Sequence, residues 1–217
     1  MTPSKIVILI AVLIIAFSIF AYAISKSSKR SGGNHSGRAH SSWLSRLFES
    51  PQRRYGRKGE EKASDIIRSV MTDDDRLFTN VEISYENRDT ELDNVIVNSY
   101  GVFIIEVKSY KGLLVGNEDD PEWNKFHTTD AGKIYPKTVR NPIPQVKRQI
   151  YILSNYLRYN SAPRVWIEGY AFFVNGNSPV TSRYILSDAR DIESAIHTPQ
   201  RSRLSPSQVD RISALLS

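Results

Sequence analysis

The sequence contains no cysteine, and this absence excludes disulfide bonds, thiolate zinc sites and cysteine nucleophiles. Histidine is scarce: its four copies, at positions 35, 40, 127 and 197, show no spacing typical of metal ligands. The chain also lacks a glycine-rich loop of the kind that binds phosphates, and it has no internal repeat. A histidine metal site is therefore not the expected chemistry of this chain.

Acidic residues are nearly missing from residues 1–58, which contain ten Lys or Arg but a single acid, Glu49. This segment carries a net charge of +9, whereas the whole chain of 217 residues carries +6, so the remainder carries −3. The basic character therefore belongs to the N-terminal segment and is no evidence that the folded part binds phosphate backbones. The roughly 160 residues that remain are enough for one domain with a hydrophobic core.

No charged residue occurs from Ile6 to Ile24, a run of 19 residues interrupted only by Ser18 and Tyr22. About 20 apolar residues cross the hydrocarbon core of a bilayer, so the run predicts a transmembrane helix. A cleaved signal peptide is the alternative, because Ala21-Tyr22-Ala23 resembles a cleavage site.

The flanks of this run favour an anchor that is retained. The run is longer than the usual signal core, and the residues after it, including Lys26 and Lys29, are more basic than those before it. We therefore predict an anchor in residues 1–25, a basic Ser/Gly-rich linker in residues 26–52 and a folded domain in residues 53–217. The predicted location is a bacterial-type inner membrane, with a single span and the C-terminal domain in the cytoplasm. A secreted or periplasmic product after signal cleavage stays open.

Helical and strand patterns alternate along the folded part, which predicts an α/β fold. The strongest strand patterns, residues 92–97 and 102–107, are joined by Asn98-Ser99-Tyr100-Gly101, a good hairpin turn. Both faces of these strands are apolar, so helices are expected on both sides of the sheet. The other predicted elements are a helix at 56–70, a strand at 77–83, a small hairpin insertion around Trp123, a helix from Asn141, strands at 165–174 and 184–186, and helices at 188–196 and 205–216.

The hairpin carries the residues best suited to chemistry. With the turn centred between Ser99 and Tyr100, Asp93 faces Glu106 across the strands, with Cβ atoms about 5 Å apart. Two like charges this close are destabilising unless they share a proton or a cation. A divalent metal satisfies both carboxylates, and Mg²⁺ prefers such oxygen ligands. Lys108, on the same face, would lie within reach of whatever the metal binds.

Two further residues could complete this site. An ordinary structural ion pair is the alternative to a catalytic site. Glu60 lies in line with the apolar stripe of the first helix, where an acid needs a partner or a metal. Gln145, near the start of the long helix, could orient water or phosphate. In the same register, however, Glu91 faces Lys108, so an ordinary cross-strand ion pair is also available.

Four motifs of the chain together resemble the nuclease-related domain (NERD) family, a branch of the PD-(D/E)xK, restriction-endonuclease-like superfamily. The motifs are Gly56-Arg57-Lys58-Gly59-Glu60, Glu91-Leu92-Asp93-Asn94-Val95-Ile96-Val97, Gly101-Val102-Phe103-Ile104-Ile105-Glu106-Val107-Lys108 and Asn141-Pro142-Ile143-Pro144-Gln145. Their order and spacing match the family across residues 56–160. The resemblance implies a restriction-endonuclease-like mixed central sheet flanked by helices, preceded here by the N-terminal transmembrane helix.

The resemblance also implies a metal-dependent nuclease that hydrolyses the phosphodiester bonds of nucleic acid, DNA ahead of RNA. Asp93 and Glu106 would bind Mg²⁺ or Mn²⁺, helped by the backbone carbonyl of Val107. Lys108 would position or activate the attacking water. The remaining members of the implied catalytic set are Glu60, which would also complete the metal shell, and Gln145. The chain departs from the pattern at Leu92, where the wider superfamily has proline, and at Asn94, where the family often has histidine.

Basic and aromatic residues near the predicted site are candidates for contacts with nucleic acid. Tyr110 and Lys111 follow the hairpin directly, and Lys147 and Arg148 lie on the long helix. Such residues are equally typical of a solvated surface. The competing hypothesis for the chain is a non-catalytic, membrane-tethered module that binds nucleic acid or protein and retains the nuclease fold.

Overall fold

The computed structural model of the chain describes residues 51–128, 132, 134–198 and 203–217. The predicted anchor in residues 1–25 lies outside the described residues, as does nearly all of the predicted linker. Among the described residues, no helix is long and apolar enough to cross a membrane.

A sheet of five strands forms the centre of the fold, in the spatial order β1-β2-β3-β7-β8. Its strands are β1 (Arg76–Tyr85), β2 (Arg88–Asn98), β3 (Gly101–Lys108), β7 (Ile167–Phe173) and β8 (Ile185–Leu186). The first three strands are antiparallel neighbours, whereas β3, β7 and β8 run parallel. The sheet is therefore mixed, as the resemblance implied.

The β2–β3 hairpin has the predicted register. Its pairs run from Asn94 opposite Ile105 to Asn98 opposite Gly101. The Asn98 side chain closes the turn, because its Oδ1 accepts hydrogen bonds from the backbone N–H groups of Tyr100 at 2.8 Å and Gly101 at 3.3 Å. A side chain fixed inside the turn prevents register slippage, which would exchange the two faces of the strands.

Four helices cover the sheet: α1 (Pro51–Val70), α2 (Pro142–Tyr159), α3 (Ala189–His197) and α4 (Pro206–Leu216). One face of the hairpin, which includes Val95 and Ile104, packs against α2 and α4. The other face, which includes Ile96 and Phe103, packs against α1 and α3. The prediction of helices on both sides of the sheet is confirmed.

Local sequence explains where α2 begins and how closely it packs. Asn141 caps the helix, since its Oδ1 accepts a hydrogen bond from the Ile143 backbone N–H at 2.9 Å, and Pro142 follows at the first helical position. A Cβ atom at Gly169 of β7 would lie only 2.8 Å from Val146 Cγ1 and 2.9 Å from Ile150 Cγ1. The glycine therefore lets α2 lie directly on the parallel part of the sheet.

The segment predicted as a small hairpin insertion is a separate sheet of three strands, β4 (Leu113–Val115), β5 (Glu122–Thr128) and β6 (Ile134–Arg140). The predicted hairpin around Trp123 is the antiparallel pair of β5 and β6. The pattern did not predict β4, because a strand of three residues is too short for a periodic pattern to show. Trp123 is fully buried and attaches this sheet to α2 and β7, where it packs with Ile143 and Phe173.

Candidate active site

Asp93 lies where β2 departs from regular pairing. Phe78 pairs with Val95 and Val81 pairs with Leu92, and all four side chains contact the same core. The two members on each strand are three positions apart, a spacing that would point them to opposite faces of a regular strand. Asn80, between Phe78 and Val81, has a φ of 53°, a left-handed conformation that asparagine tolerates. The irregular backbone leaves the Asp93 side chain free to accept a hydrogen bond at Oδ2 from the Val107 backbone N–H, at 2.7 Å.

Asp93 has the electrostatic behaviour expected of two neighbouring acids. Burial, together with the negative charge of Glu106, raises the pKa of Asp93 from its ordinary 3.8 to about 7. The Val107 N–H and the Lys108 ammonium oppose the rise without cancelling it. At neutral pH the Asp93 carboxylate is therefore a high-energy anion that a cation would stabilise.

Lys108 joins β3 to α2. Its Nζ donates to Glu106 Oε1 at 2.5 Å and to Gln145 Oε1 at 3.2 Å. The Lys108 side chain is 15% exposed, so its charge is close to solvent. The alternative ion pair with Glu91 does not form; Lys108 pairs with the acid on its own strand.

Gln149 is a site residue that the sequence reasoning missed. It is 1% exposed, and its Nε2 donates to Glu106 Oε2 at 2.7 Å and to the Glu91 backbone carbonyl at 3.3 Å. Its own Oε1 is buried without a hydrogen-bond partner among the described residues. The available signal was the i, i+4 spacing from Gln145, which places both amides on one side of α2.

Glu60 is close to the acids but not buried, so its predicted place on the buried stripe of α1 was wrong. Its side chain is exposed, although the neighbouring Gly59 is buried. Partial desolvation, followed by the charges of Glu91 and Glu106, raises the pKa of Glu60 above its ordinary value. A Cβ atom at Gly59 would lie 2.3 Å from Ser109 Cβ, so this glycine allows α1 to touch the chain directly after Lys108.

The carboxylate oxygens of Asp93 and Glu106 are the type of ligand that a hard divalent cation prefers. In the part of the chain that the structure describes, no three His, Asp or Glu side chains converge in an arrangement that would hold a metal. Mg²⁺, however, is usually bound by one or two carboxylates and completes its octahedron with water and phosphate oxygens. Asp93 and Glu106 supply two such carboxylates, and burial followed by the charge of Glu106 raises the pKa of Asp93.

Two cavities differ in their relation to these residues. One of about 320 Å³ lies between α1 and the first two strands and is lined by Glu60, Ser64, Asn80, Asp93 and Asn94, among others. In its wall, Asn94 is buried and its Oδ1 accepts a hydrogen bond from Ser64 Oγ at 3.5 Å. A larger cavity of about 610 Å³ lies beside β7 around Trp166 and contains none of the predicted site residues. Of the predicted site residues, Glu60 and Asp93 line the smaller cavity, whereas Glu106 and Lys108 do not.

The predicted nucleic-acid contacts do not form one surface. Lys147 lies over the Tyr184 ring, 4.8 Å from its centroid, whereas Arg148 donates to the Asp89 backbone carbonyl at 3.3 Å. Successive helical residues are about 100° apart, which sends the two side chains to opposite edges of α2. Tyr110 packs on Phe173 with its ring half-buried, and Lys111 is exposed beside it.

A mixed sheet covered by helices on both faces, with two acids and a lysine at the end of one hairpin, defines an α/β protein with a candidate acidic site. The family model for the nuclease-related domain matches residues 55–174, more than half of the chain, so the chain belongs to the nuclease-related domain family. The matched range contains every predicted site residue and also Gln149. No curated protein and no solved structure matched the chain.

Proposed function

We propose that the chain is a metal-dependent nuclease that hydrolyses phosphodiester bonds of nucleic acid, with DNA the first substrate to test. The observation that carries the proposal is the group formed by Asp93, Glu106 and Lys108, in which two neighbouring acids at the end of a buried hairpin face a single ammonium. Membership of the nuclease-related family supports it. The mixed five-stranded sheet is also compatible with the restriction-endonuclease-like superfamily.

In this proposal each residue has a defined role. Asp93, Glu106 and the Val107 carbonyl would hold Mg²⁺ or Mn²⁺, which when bound polarises phosphate and lowers the pKa of an attacking water. Lys108 would neutralise charge that develops on the phosphate. Gln145 would hold the Lys108 ammonium in place. Glu60, exposed at the mouth of the cavity, would act through bound water rather than as a direct ligand.

We also propose that residues 1–25 anchor this domain to a bacterial-type inner membrane, with residues 53–217 in the cytoplasm. The uncharged run from Ile6 to Ile24 and the basic residues after it support this topology. Alkaline extraction of isolated membranes should leave the full-length chain in the membrane pellet. Recovery of a shortened, soluble chain outside the cytoplasm would show that the run is a cleaved signal peptide instead.

One observation favours a non-catalytic module. Both Glu106 oxygens already have donors, Lys108 and Gln149, and Asp93 is bound to the Val107 N–H. Such a closed network is also what a purely structural polar cluster would form. The proposed nuclease and this alternative differ in whether metal ions stabilise the fold and whether nucleic acid is cut.

The decisive experiment is hydrolysis of labelled single- and double-stranded DNA and RNA by the purified full-length chain, with Mg²⁺, Mn²⁺ or a chelator. Asp93→Asn and Lys108→Ala should each lower the cleavage rate at least about 100-fold, since each removes a group that acts in the transition state. Arg190→Gln, an exposed change on α3, serves as the control and should cut at the parent rate.

Thermal unfolding completes this test. Millimolar Mg²⁺ or Mn²⁺ should raise the melting temperature of the parent, because an ion that binds only the folded state stabilises it. The increase should be absent in Asp93→Asn. No cleavage of any substrate, together with no metal-dependent shift, would favour the binding module.

A further inference from the structure

The small sheet carries two lysines that face each other without a neutralising acid. Lys125 of β5 lies directly opposite Lys137 of β6. Like charges placed directly opposite each other in an antiparallel pair destabilise it. Consistent with this, partial burial followed by the charge of Lys137 lowers the pKa of Lys125. The pair is therefore a local concentration of positive charge on a domain whose net charge is negative.

No carboxylate in the described part of the chain neutralises these two ammonium groups. Among the described residues, no carboxylate oxygen lies within 4 Å of the Lys125 or the Lys137 ammonium. The ion pairs found among these residues join other side chains. Lys125 instead lies over the ring of Tyr110, 5.7 Å from its centroid. Lys137 is exposed. An external anion bound between the two ammonium groups would relieve the repulsion.

Side-chain contacts link the lysine pair to the candidate active site. Tyr110, beneath Lys125, follows Lys108 by two residues, and its ring packs on Phe173 at a centroid distance of 6.2 Å. The Asn141 side chain ties the β4–β5 loop to the start of α2 through hydrogen bonds of 2.7 Å and 2.8 Å to the carbonyls of Glu118 and Asp120. Gln145, one turn further along α2, contacts Lys108.

An aromatic side chain accompanies the pair. Tyr135 precedes Lys137 by two residues on β6, so both side chains point to the same face of the sheet. Tyr135 is 55% exposed, with its ring available to solvent. Lysines combined with exposed aromatic rings are the composition by which proteins bind the backbone and bases of single strands.

We propose that Lys125 and Lys137 bind the phosphate backbone of the nucleic acid next to the bond to be cut, with Tyr135 providing a stacking surface. This inference rests on the proposed function for the choice of ligand. It explains how a domain with a net charge of −3 outside the N-terminal segment binds a polyanion, because local charge rather than total charge governs short-range contacts.

Binding measured without cleavage tests this site separately from catalysis. The full-length chain is titrated against fluorescein-labelled single-stranded and duplex DNA in a chelator, over a series of salt concentrations. The test variant is Lys125→Gln with Lys137→Gln. Lys125→Arg with Lys137→Arg preserves the charge, and Arg190→Gln removes one charge from α3, away from the small sheet.

The glutamine variant should bind single-stranded DNA roughly tenfold or more weakly near 0.1 M salt, and its log–log salt slope should fall by about 1.4, because two phosphate contacts are lost. The arginine variant and Arg190→Gln should retain parent affinity and slope. The melting temperature of the glutamine variant should equal or exceed that of the parent, since a repulsion has been removed.

Three results would overturn the inference. The first is parent affinity and slope in the glutamine variant, and the second is an equal loss in the glutamine and arginine variants. The third is unchanged DNA binding with weakened binding to phosphatidylserine vesicles, which would identify a lipid contact. Failure of the nuclease proposal is separate: DNA binding that depends on the lysines, in a chain that cuts nothing, would keep this site and remove the catalysis.

Discussion

Glu106 is held by donors from two directions, and the two donors differ in what they contribute. Lys108 supplies charge near solvent, whereas Gln149 supplies a neutral amide at a buried position. The opposite orientation of the Gln149 amide would put its oxygen against Glu106 Oε2, two acceptors in contact. Gln149 therefore acts as a donor that holds the carboxylate in one orientation, even though its own oxygen stays unpaired.

Replacing Gln149 with leucine should destabilise the domain by about 1–3 kcal/mol, because Glu106 Oε2 would be buried without a donor. Leucine also removes the buried, unpaired Gln149 oxygen, which offsets part of this destabilisation. The offset is the smaller effect, because that oxygen carries no charge whereas the Glu106 carboxylate does. Urea unfolding measures the difference. Gln145→Leu, one helical turn away and exposed, is the matched control and should change stability by no more than about 0.5 kcal/mol. Equal stability of Gln149→Leu and the parent would mean that water replaces the amide.

At the scale of secondary structure, the position of α1 depends on Gly59. The helix touches the chain at Ser109, where a side chain on residue 59 would overlap the serine Cβ. This contact brings Glu60 into the electrostatic environment of Glu106 and Lys108. A glycine inside a helix costs about 1 kcal/mol relative to alanine, so its presence indicates a packing requirement.

Gly59→Ala should therefore destabilise the domain by about 1–3 kcal/mol despite the better helix propensity of alanine, since the overlap forces α1 away from β3. The same change combined with Ser109→Gly removes the overlapping Cβ and should recover most of the loss. A double-mutant cycle by urea unfolding gives the coupling between the two positions. Additive effects of the two substitutions would show that the helix shifts without strain.

At the scale of the whole molecule, Asp75 connects three separate parts of the fold. Its carboxylate, in a side chain only 1% exposed, accepts from the Thr72 N–H at 2.7 Å, from Asn98 of the hairpin turn at 2.7 Å and from His197 at the end of α3 at 2.9 Å. Burial alone would raise the pKa of Asp75, but these donors outweigh it and lower the pKa below its ordinary 3.8.

A lowered pKa in the folded state means that ionised Asp75 stabilises the fold above the pKa of the unfolded chain, and that this contribution is lost as the pH falls through the folded pKa. Asp75→Asn should thus cost on the order of 2 kcal/mol at neutral pH. The difference from the parent should shrink below pH 3.8. Urea unfolding across pH checks this. Asp210→Asn is the control, because its exposed ion pair with Arg76 should contribute little at any pH. A difference independent of pH would exclude the charge as its cause.

The sequence by itself determined the features that depend on local periodicity and turn chemistry. The β2–β3 register followed from a polar turn between two apolar runs, and this register places Asp93, Glu106 and Lys108 together at one end of the hairpin. The start of α2 followed from Asn141 and Pro142. These features involve residues close in the chain, for which a period of two or 3.6 is sufficient information.

Only the tertiary structure decided which distant side chains meet. The burial of Gln149 against Glu106 and the contact of Asp75 with His197 join residues that are 43 and 122 positions apart. The exposure of Glu60 departs from what the helix pattern predicted. The opposition of Lys125 and Lys137 depends on a hairpin whose turn the pattern did not resolve. A helix pattern specifies the buried face of an element but not the side chain it meets, because the packing of the neighbouring elements sets that partner.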